Sequence, residues 1–288
     1  MEVAETTLVY TSSSDVFTFW HLTDIHMGSR YCSEGLLDEV VSKIKDDPKS
    51  YWWLGGDSCD FILYQDEKRF DPEGVASWIS VADLANLPVC QVNRVAERLR
   101  PIVDRCLGVG FGNHDDIIRR KYSQDVHMLL LGKMNGWRNQ KMVPIPSLGY
   151  SAFHLLRFHR VKIRKGHGAE RTLTVFLHHG WFGGRLKGSK ALNLERAFLY
   201  YNCDMAFFGH NHDRLALKTV MMEPVKKDNV WTFHAKTRVA VNSGGFLRGL
   251  AFPGVGTPYT ERAGYYPTSL GPIPVKYNPE RQEIVILE

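Results

Sequence analysis

Five short segments place histidine, aspartate and asparagine where an apolar run stops. They are Asp24-Ile25-His26, Asp57 with Asp60 in GGDSCD, Asn113-His114-Asp115 in GNHD, His178-His179 in FLHHG, and His210 with His212 in GHNH. The donors on offer are imidazole, carboxylate and amide oxygen, with no thiolate. Such a set suits Mn, Fe, Zn or Co and is too nitrogen-rich for a dedicated Ca or Mg cage. The chain holds twelve histidines and 25 glycines. From that composition G-H-x-H is expected roughly 0.04 times by chance, so GHNH carries more weight than D-x-H, which arises anywhere. Any one of these residues alone is explained by turn and capping chemistry. The ordered series points to a site.

The elements around the segments say how they would be brought together. Val16–Trp20 reads as a strand running into HLTDIH, Tyr51–Leu54 as a strand ending in GGD, Cys106–Phe111 as a strand ending in GNHD, and Asp204–Phe208 as a strand ending in GHNH. Ser151–Arg157 and Thr172–Leu177 read as two strands joined by a basic turn. Gly35–Ile44, Val89–Val103 and Leu192–Tyr200 have apolar residues three and four apart and read as helices. Strand–helix alternation implies βαβ units and an α/β fold with a largely buried sheet. Loops leaving the C-terminal ends of parallel strands converge on one crevice, where five such loops pool their side chains. Short strands at Leu215–Val220, Val230–Phe233, Val239–Val241, Val275–Tyr277 and Glu283–Leu287 give a more antiparallel second half. Gly244–Pro274, rich in Gly, Pro and Tyr, reads as a long ordered loop. The whole chain, 1–288, is expected to be a single domain, with 61–87 as a cap or insertion.

Composition narrows the class. Of 288 residues, 44% are hydrophobic and 23% charged, as in an ordinary globular chain and unlike a disordered one. No apolar run approaches the length of a transmembrane helix, and MEVAETTLVY lacks the basic and apolar regions of a secretory signal. Five scattered cysteines form no C-x-x-C pair, which disfavours a disulfide framework or a thiolate zinc site and favours a reducing cytosol. The net charge of +5 is compatible with an anionic substrate without establishing one.

Taken in order, D-x-H, G-D-x-x-D, G-N-H-D, H and G-H-x-H resemble the calcineurin-like metallophosphoesterase superfamily, over Asp24 to His212. The texture of HLTDIHMGS, WWLGGD and HHGWFGGR is similar to that of phosphoesterases found in bacteriophage and bacterial genomes, which implies a bacterial or phage-infected cytosol. The resemblance implies a four-layer αββα sandwich of two mixed sheets with a dinuclear metal site at the strand ends. It implies one divalent metal, Mn first and Fe, Zn or Co next, on Asp24, His26 and His212. It places a second on Asn113, His178 and His210, with Asp57 bridging; of the adjacent His178 and His179 the family pattern favours the first. Two such cations clamp a phosphoryl group and activate water for in-line attack. The resemblance gives His114 the role of the acid that protonates the leaving oxygen, with Asp60 orienting it and Asp115 behind them. Protein Ser/Thr phosphatases of this superfamily carry Arg after G-D-x-x-D and read G-N-H-E. Phe61 and Asp115 stand at those positions, which argues against that branch.

The expected activity is a metal-dependent phosphoesterase, taken here as a phosphodiesterase acting on DNA or RNA. Arg119, Arg120 and Lys121 follow His114 closely, and Arg185 and Lys187 follow the HHG segment. Arg119, Arg120 and Arg185 are the substrate-side candidates, since the guanidinium fork suits phosphate oxygens. Trp181 and Phe182 suit base stacking or core packing equally. The basic run Arg157–Arg171, with Arg160, Lys162, Arg164 and Lys165, reads as a charged hairpin tip that protects a sheet edge. The enzymatic alternatives are a small-molecule phosphomonoesterase and a cyclic nucleotide phosphodiesterase. The non-enzymatic alternative is a metal-free scaffold on the same fold.

Overall fold

The computed structural model describes residues 1–161, 170–184, 186–250 and 256–287. Two six-stranded mixed sheets lie face to face. The first holds β1 (Glu2–Tyr10), β6 (Ser151–Arg160), β7 (Glu170–His178), β8 (Met205–Phe208), β10 (Val230–Asn242) and β9 (Leu215–Lys227), in that spatial order. The second holds β12 (Glu283–Ile286), β11 (Val275–Asn278), β2 (Phe17–Leu22), β3 (Ser50–Gly55), β4 (Cys106–Gly110) and β5 (Ser147–Gly149). Helices α1 (Glu34–Asp46), α2 (Leu87–Leu99) and α4 (Val126–Trp137) cover the second sheet, and α5 (Lys187–Tyr200) covers the first. The order of layers is therefore αββα, as the sequence implied.

Burial on both faces explains the composition of the central strands. In β3, Trp52 packs toward α1 and α2 while Trp53 enters the core between the sheets. In β8, Met205 and Phe207 face the inter-sheet core and Ala206 and Phe208 face α5. A strand covered on both sides reads as a continuous apolar run with no alternation. Such runs stand immediately before four of the five polar segments, so each segment leaves the sheet at a buried strand end.

Several elements differ from the sequence reading. β1 pairs in parallel with β6 at the sheet edge, and α3 (Asn113–Tyr122), α4 and β5 occupy stretches without an assignment. The three short strands between 215 and 241 are two 13-residue strands joined by a two-residue turn. The 244–274 stretch includes a one-turn helix, α6 (Tyr259–Arg262); residues 251–255 lie outside the described residues. So does the basic turn with Lys162, Arg164 and Lys165. Segment 61–86 crosses to α2 with two 3₁₀ turns, Pro72–Gly74 and Ala82–Asn86. Among the described residues no helix is long and apolar enough to cross a membrane.

One histidine of the inter-sheet core makes a testable link between fold and pH. His154 is fully buried, accepts a hydrogen bond at Nδ1 from Trp53 Nε1 (3.1 Å), and lies 2.8 Å from Thr6 Oγ1 through Nε2. A ring accepting at Nδ1 is neutral with its proton on Nε2. Burial pushes its pKa down to about 4. The unfolded chain takes up this proton below about 6.5 and the folded chain does not until about 4, so acid favours unfolding in that window. Stability is expected to fall by on the order of 2 kcal/mol between pH 7 and pH 4.5 from this residue. Urea unfolding of His154→Gln at the two pH values should show a shallower loss than the parent; equal losses would exclude the linkage.

Candidate active site

The polar segments meet at one end of the sandwich. Asp24 follows β2 and is fully buried; its Oδ2 accepts from Thr23 Oγ1 and from the His210 backbone N–H, each at 2.8 Å. Its Oδ1 lies 3.5 Å from His212 Nε2. His26 stacks on His212 with ring centroids 5.0 Å apart, and its Nδ1 lies 3.3 Å from Asp60 Oδ1. Asp57, after β3, accepts at Oδ1 from the His114 backbone N–H (2.8 Å), and its Oδ2 lies 3.3 Å from His179 Nε2. His179 Nδ1 is 2.9 Å from the Gly55 carbonyl, and Nε2 is 3.1 Å from Asn113 Oδ1. A carbonyl only accepts, so His179 carries its proton on Nδ1 and turns Nε2 inward.

Three overlapping groups of donor atoms result. Asp24, His26 and His212 form one; Asp57, His179 and His210 form another; His26, Asp57 and His114 lie between them. Within each group the donor atoms lie within 4.8 Å of one another. Asp24 Oδ1 and His26 Nε2 are buried with no hydrogen-bond partner among the described residues. Buried polar atoms are rarely left so, and a cation is one way to satisfy them. His26 and His179 each anchor Nδ1 on an oxygen and leave Nε2 for the site, the way metal-binding imidazoles are oriented. The donor set and its two orphaned atoms fit divalent cations.

The backbone is shaped for the same purpose. Asp24, His26, Asp57, His210 and His212 all have φ between 47° and 72°, half of the ten such non-glycine residues described. That left-handed region costs a side-chain-bearing residue about 1–3 kcal/mol and persists where surrounding structure enforces it. Two glycines are required by close approach. A Cβ on Gly112 would stand 2.2 Å from Asp57 Oδ1, and one on Gly209 would stand 2.6 Å from Asp24 Oδ2.

Charge coupling across the site is strong. Burial alone would lower His179, but the Asp57 charge and hydrogen bond, with Asp24 behind, hold its pKa up to about 10. Burial likewise pushes Asp57 up, yet His179, His114 and His26 hold it well below the ordinary range. Asp115 accepts from the Asp57 and Gly112 backbone N–H groups at 2.9 and 2.8 Å, fixing the loop that carries Asp57. Burial and the nearby Asp57 charge raise Asp115 to about 7.

Three expectations are corrected by this geometry. His178 was placed at the second corner; the structure puts His179 there. His178 points toward the α5 layer, with its ring 4.5 Å from Trp181 and its Nδ1 accepting from the Gly180 N–H. Asp60 was to orient His114 through its carboxylate; that carboxylate contacts His26, and His114 Nδ1 instead bonds the Asp60 backbone carbonyl. Arg119 and Arg120 were placed on the substrate side; both project from the exposed face of α3 and pair with Asp116 at 2.7 and 2.8 Å. Arg185 lies outside the described residues. Lys187 lies 3.8 Å from Asp213, Phe182 packs against α5, and Trp181 is half exposed.

A cleft of about 1150 Å³ opens over the site, lined by His26, His114, His210 and His212 at its base. Its walls include Lys68, Arg69 and Phe70 on one side and Arg248, Arg262, Tyr265 and Tyr266 on the other. Lys187 and Phe182, named from the sequence, also line the cleft. Lys68, Arg69 and Phe70 follow Asp60 within the stretch read as a cap, and the 247–268 wall is remote in sequence from every motif. Charge and aromatic density in 68–75 and 247–268 was the available signal. Arg262 bonds Asp71 across the two walls at 2.8 Å.

Two stacked sheets carry a histidine–carboxylate cluster at their strand ends. A family model for calcineurin-like phosphoesterases matches residues 17–214, and the chain belongs to that family. No curated protein matches the chain. Among solved structures it is similar to a metallophosphoesterase from Sphaerobacter thermophilus, at 14% identity and TM-score 0.38, covering 94% of this chain and 87% of that one. It is also similar to a conserved uncharacterized protein of Streptococcus pneumoniae TIGR4, titled a predicted phosphoesterase, at 10% identity and TM-score 0.33 (91% and 83% covered). The NAD nucleotidase of Haemophilus influenzae matches at 8% identity and TM-score 0.40, covering 95% of this chain and 49% of that one.

Proposed function

We propose that the chain is a dinuclear phosphodiesterase acting on nucleic acid. The observation that carries the metal reading is the pair of buried, unpartnered donors, Asp24 Oδ1 and His26 Nε2, inside a ring of further donors. Asp24, His26 and His212 would hold one cation, Asn113, His179 and His210 the other, and Asp57 would bridge them. Manganese suits the nitrogen and oxygen donors. When bound, the pair supplies Lewis acidity to a phosphoryl group and a nucleophilic water at neutral pH. His114 stands beside the site with Nδ1–H donated to the Asp60 carbonyl, so its other nitrogen is the one that can hand a proton to a leaving oxygen. Five free cysteines, four of them buried, suit a reducing cytosol.

The cleft supports the substrate class. A volume of about 1150 Å³ exceeds what a single phosphate ester fills. Its walls carry cations that face the cleft, two of them, Arg69 and Arg262, also paired with Asp66 and Asp71, and rings on which bases can stack. A small ester would touch only the base of the cleft.

The test is a salt series. KM for a single-stranded oligonucleotide should rise steeply with salt, and KM for a small phosphodiester should not. Lys68→Glu with Arg69→Glu should raise the oligonucleotide KM about tenfold or more and flatten its salt slope by about 1 for each cation replaced. Arg119→Glu with Arg120→Glu should change both little. Brisk hydrolysis of the small ester with no cleavage of DNA or RNA under any of Mn, Zn, Fe or Co would remove the nucleic-acid reading and leave the hydrolase.

A further inference from the structure

The far end of the first sheet carries a feature that hydrolysis does not use. β9 and β10 pair along 13 residues each and turn at Asp228-Asn229, both with positive φ, as in a tight type I′ hairpin. Only the last part of β10, Val239–Asn242, pairs with β8. The rest projects from the sandwich as a two-stranded ribbon. Asn242 lies at the site end, so the ribbon tip is about 40 Å away along the strand.

The two faces of the ribbon differ. Val239 and Val241 point into the inter-sheet core. Trp231, Phe233 and Ala235 share their parity and continue that face beyond the sandwich. Opposite them across the register stand Lys226, Pro224 and Met222, with Val220 opposite Thr237. Trp231 is 69% exposed, Phe233 71%, and Val220 and Met222 58% each. The reverse face carries Thr232, His234, Lys236, Thr219 and Glu223 together with the smaller or partly covered Val230, Val225 and Met221. Trp231 and Phe233, with Met222 and Val220, stand exposed on one face, and contiguous exposed patches of this kind mark interaction sites.

We infer that this face docks on the same face of a second copy of the chain, giving a two-fold dimer. Area favours that occupant. The exposed parts of these side chains amount to roughly 600 Å² per copy. A two-fold pair buries both patches, roughly 1,200 Å² in all, the lower bound of a stable specific interface. A two-fold contact needs only one self-complementary patch, and the exposed aromatic and aliphatic side chains of this ribbon face supply it. The contact is face to face, because the free edge of β9 carries Lys218, Pro224, Lys226 and Lys227, which oppose strand addition. The site ends stay clear, so dimerisation leaves the cleft open. This inference does not depend on the substrate or on any metal.

Sedimentation equilibrium of the full chain tests it. The parent should move from monomer to dimer with concentration in the micromolar range. Trp231→Ser with Phe233→Ser should remain monomeric at concentrations at least tenfold above the parent midpoint, with unchanged hydrolysis of a small phosphodiester as the sign of correct folding. Met222→Lys should act alike by placing a charge in the interface. Hydrogen exchange on the parent gives an arm free of variants: amides in 218–236 should slow as the dimer forms. A parent that is monomeric throughout, a dimer unaffected by both substitutions, or protection that appears elsewhere would each overturn the inference.

Discussion

Alanine at His179 is expected to remove about one cation per chain and to slow hydrolysis at least about 10³-fold, as is alanine at Asp57. Alanine at His178, one residue earlier, is expected to keep the cations and cost less than about tenfold. The reason is direction. His179 Nε2 lies within 3.3 Å of both Asp57 Oδ2 and Asn113 Oδ1, whereas the His178 ring packs on Trp181 outside the cluster. Losing His178 removes a ring contact and one acceptor for the Gly180 N–H, worth about 1 kcal/mol of stability. Metal analysis after equilibrium dialysis reads the difference without reference to activity. Cation uptake must also displace the proton that Asp57 holds on His179, whose pKa is about 10. Affinity should therefore rise with pH from 6 to 9 in the parent. Retention of metal in His179→Ala with its loss in His178→Ala would reverse the assignment.

That one-residue offset shows what a sequence can and cannot settle. The end of the strand before the pair, 175–177, is buried on both faces: Val175 and Leu177 face the inter-sheet core, and Phe176 faces α5. With apolar residues at both parities, nothing in the letters says which histidine follows which face. In the structure His178 shares the parity of Phe176 and stacks near Phe208, while His179 follows Leu177 toward the site. The remaining cluster members were legible because each belongs to a short polar segment with fixed spacing at the end of an apolar run, where a loop must leave the sheet.

Other differences have equally local causes. α4 was hidden by Gly132 and Gly136, each costing about 1 kcal/mol of helix propensity, which burial of Leu130, Leu131 and Met134 outweighs. α3 begins at Asn113 itself, so residues that look like loop chemistry also form the first turn of a helix. That helix explains the misplaced cations. Arg119 and Arg120 are near His114 in sequence, but they fall on the solvent side of α3, held by Asp116. The cations that line the cleft arrive from 68–69, 187, 190, 248 and 262, and for Arg248 and Arg262 only the closed fold brings them beside the motifs.

His114→Ala is expected to slow turnover of an unactivated phosphodiester by about 10²–10⁴, the usual contribution of a positioned acid. The bound cations should be retained. His114 contacts the Asp57 carboxylate through its backbone N–H, which alanine preserves, and its ring is tied to the Asp60 carbonyl. An activated phenol leaves without a proton, so with a nitrophenyl ester the deficit should shrink toward unity. The alkaline limb of the kcat profile should also change, because a proton donor acts only while protonated and here it is gone. Asp60→Asn separates the two histidines: the Asp60 carboxylate lies on His26 Nδ1, so this variant should weaken cation binding and leave the leaving-group dependence as in the parent. The geometry leaves room for a competing role, since His114 also belongs to a donor group with His26 and Asp57. Metal content decides between them. If His114→Ala loses a cation, and its deficit is the same for activated and unactivated leaving groups, His114 is a ligand and the proton comes from elsewhere.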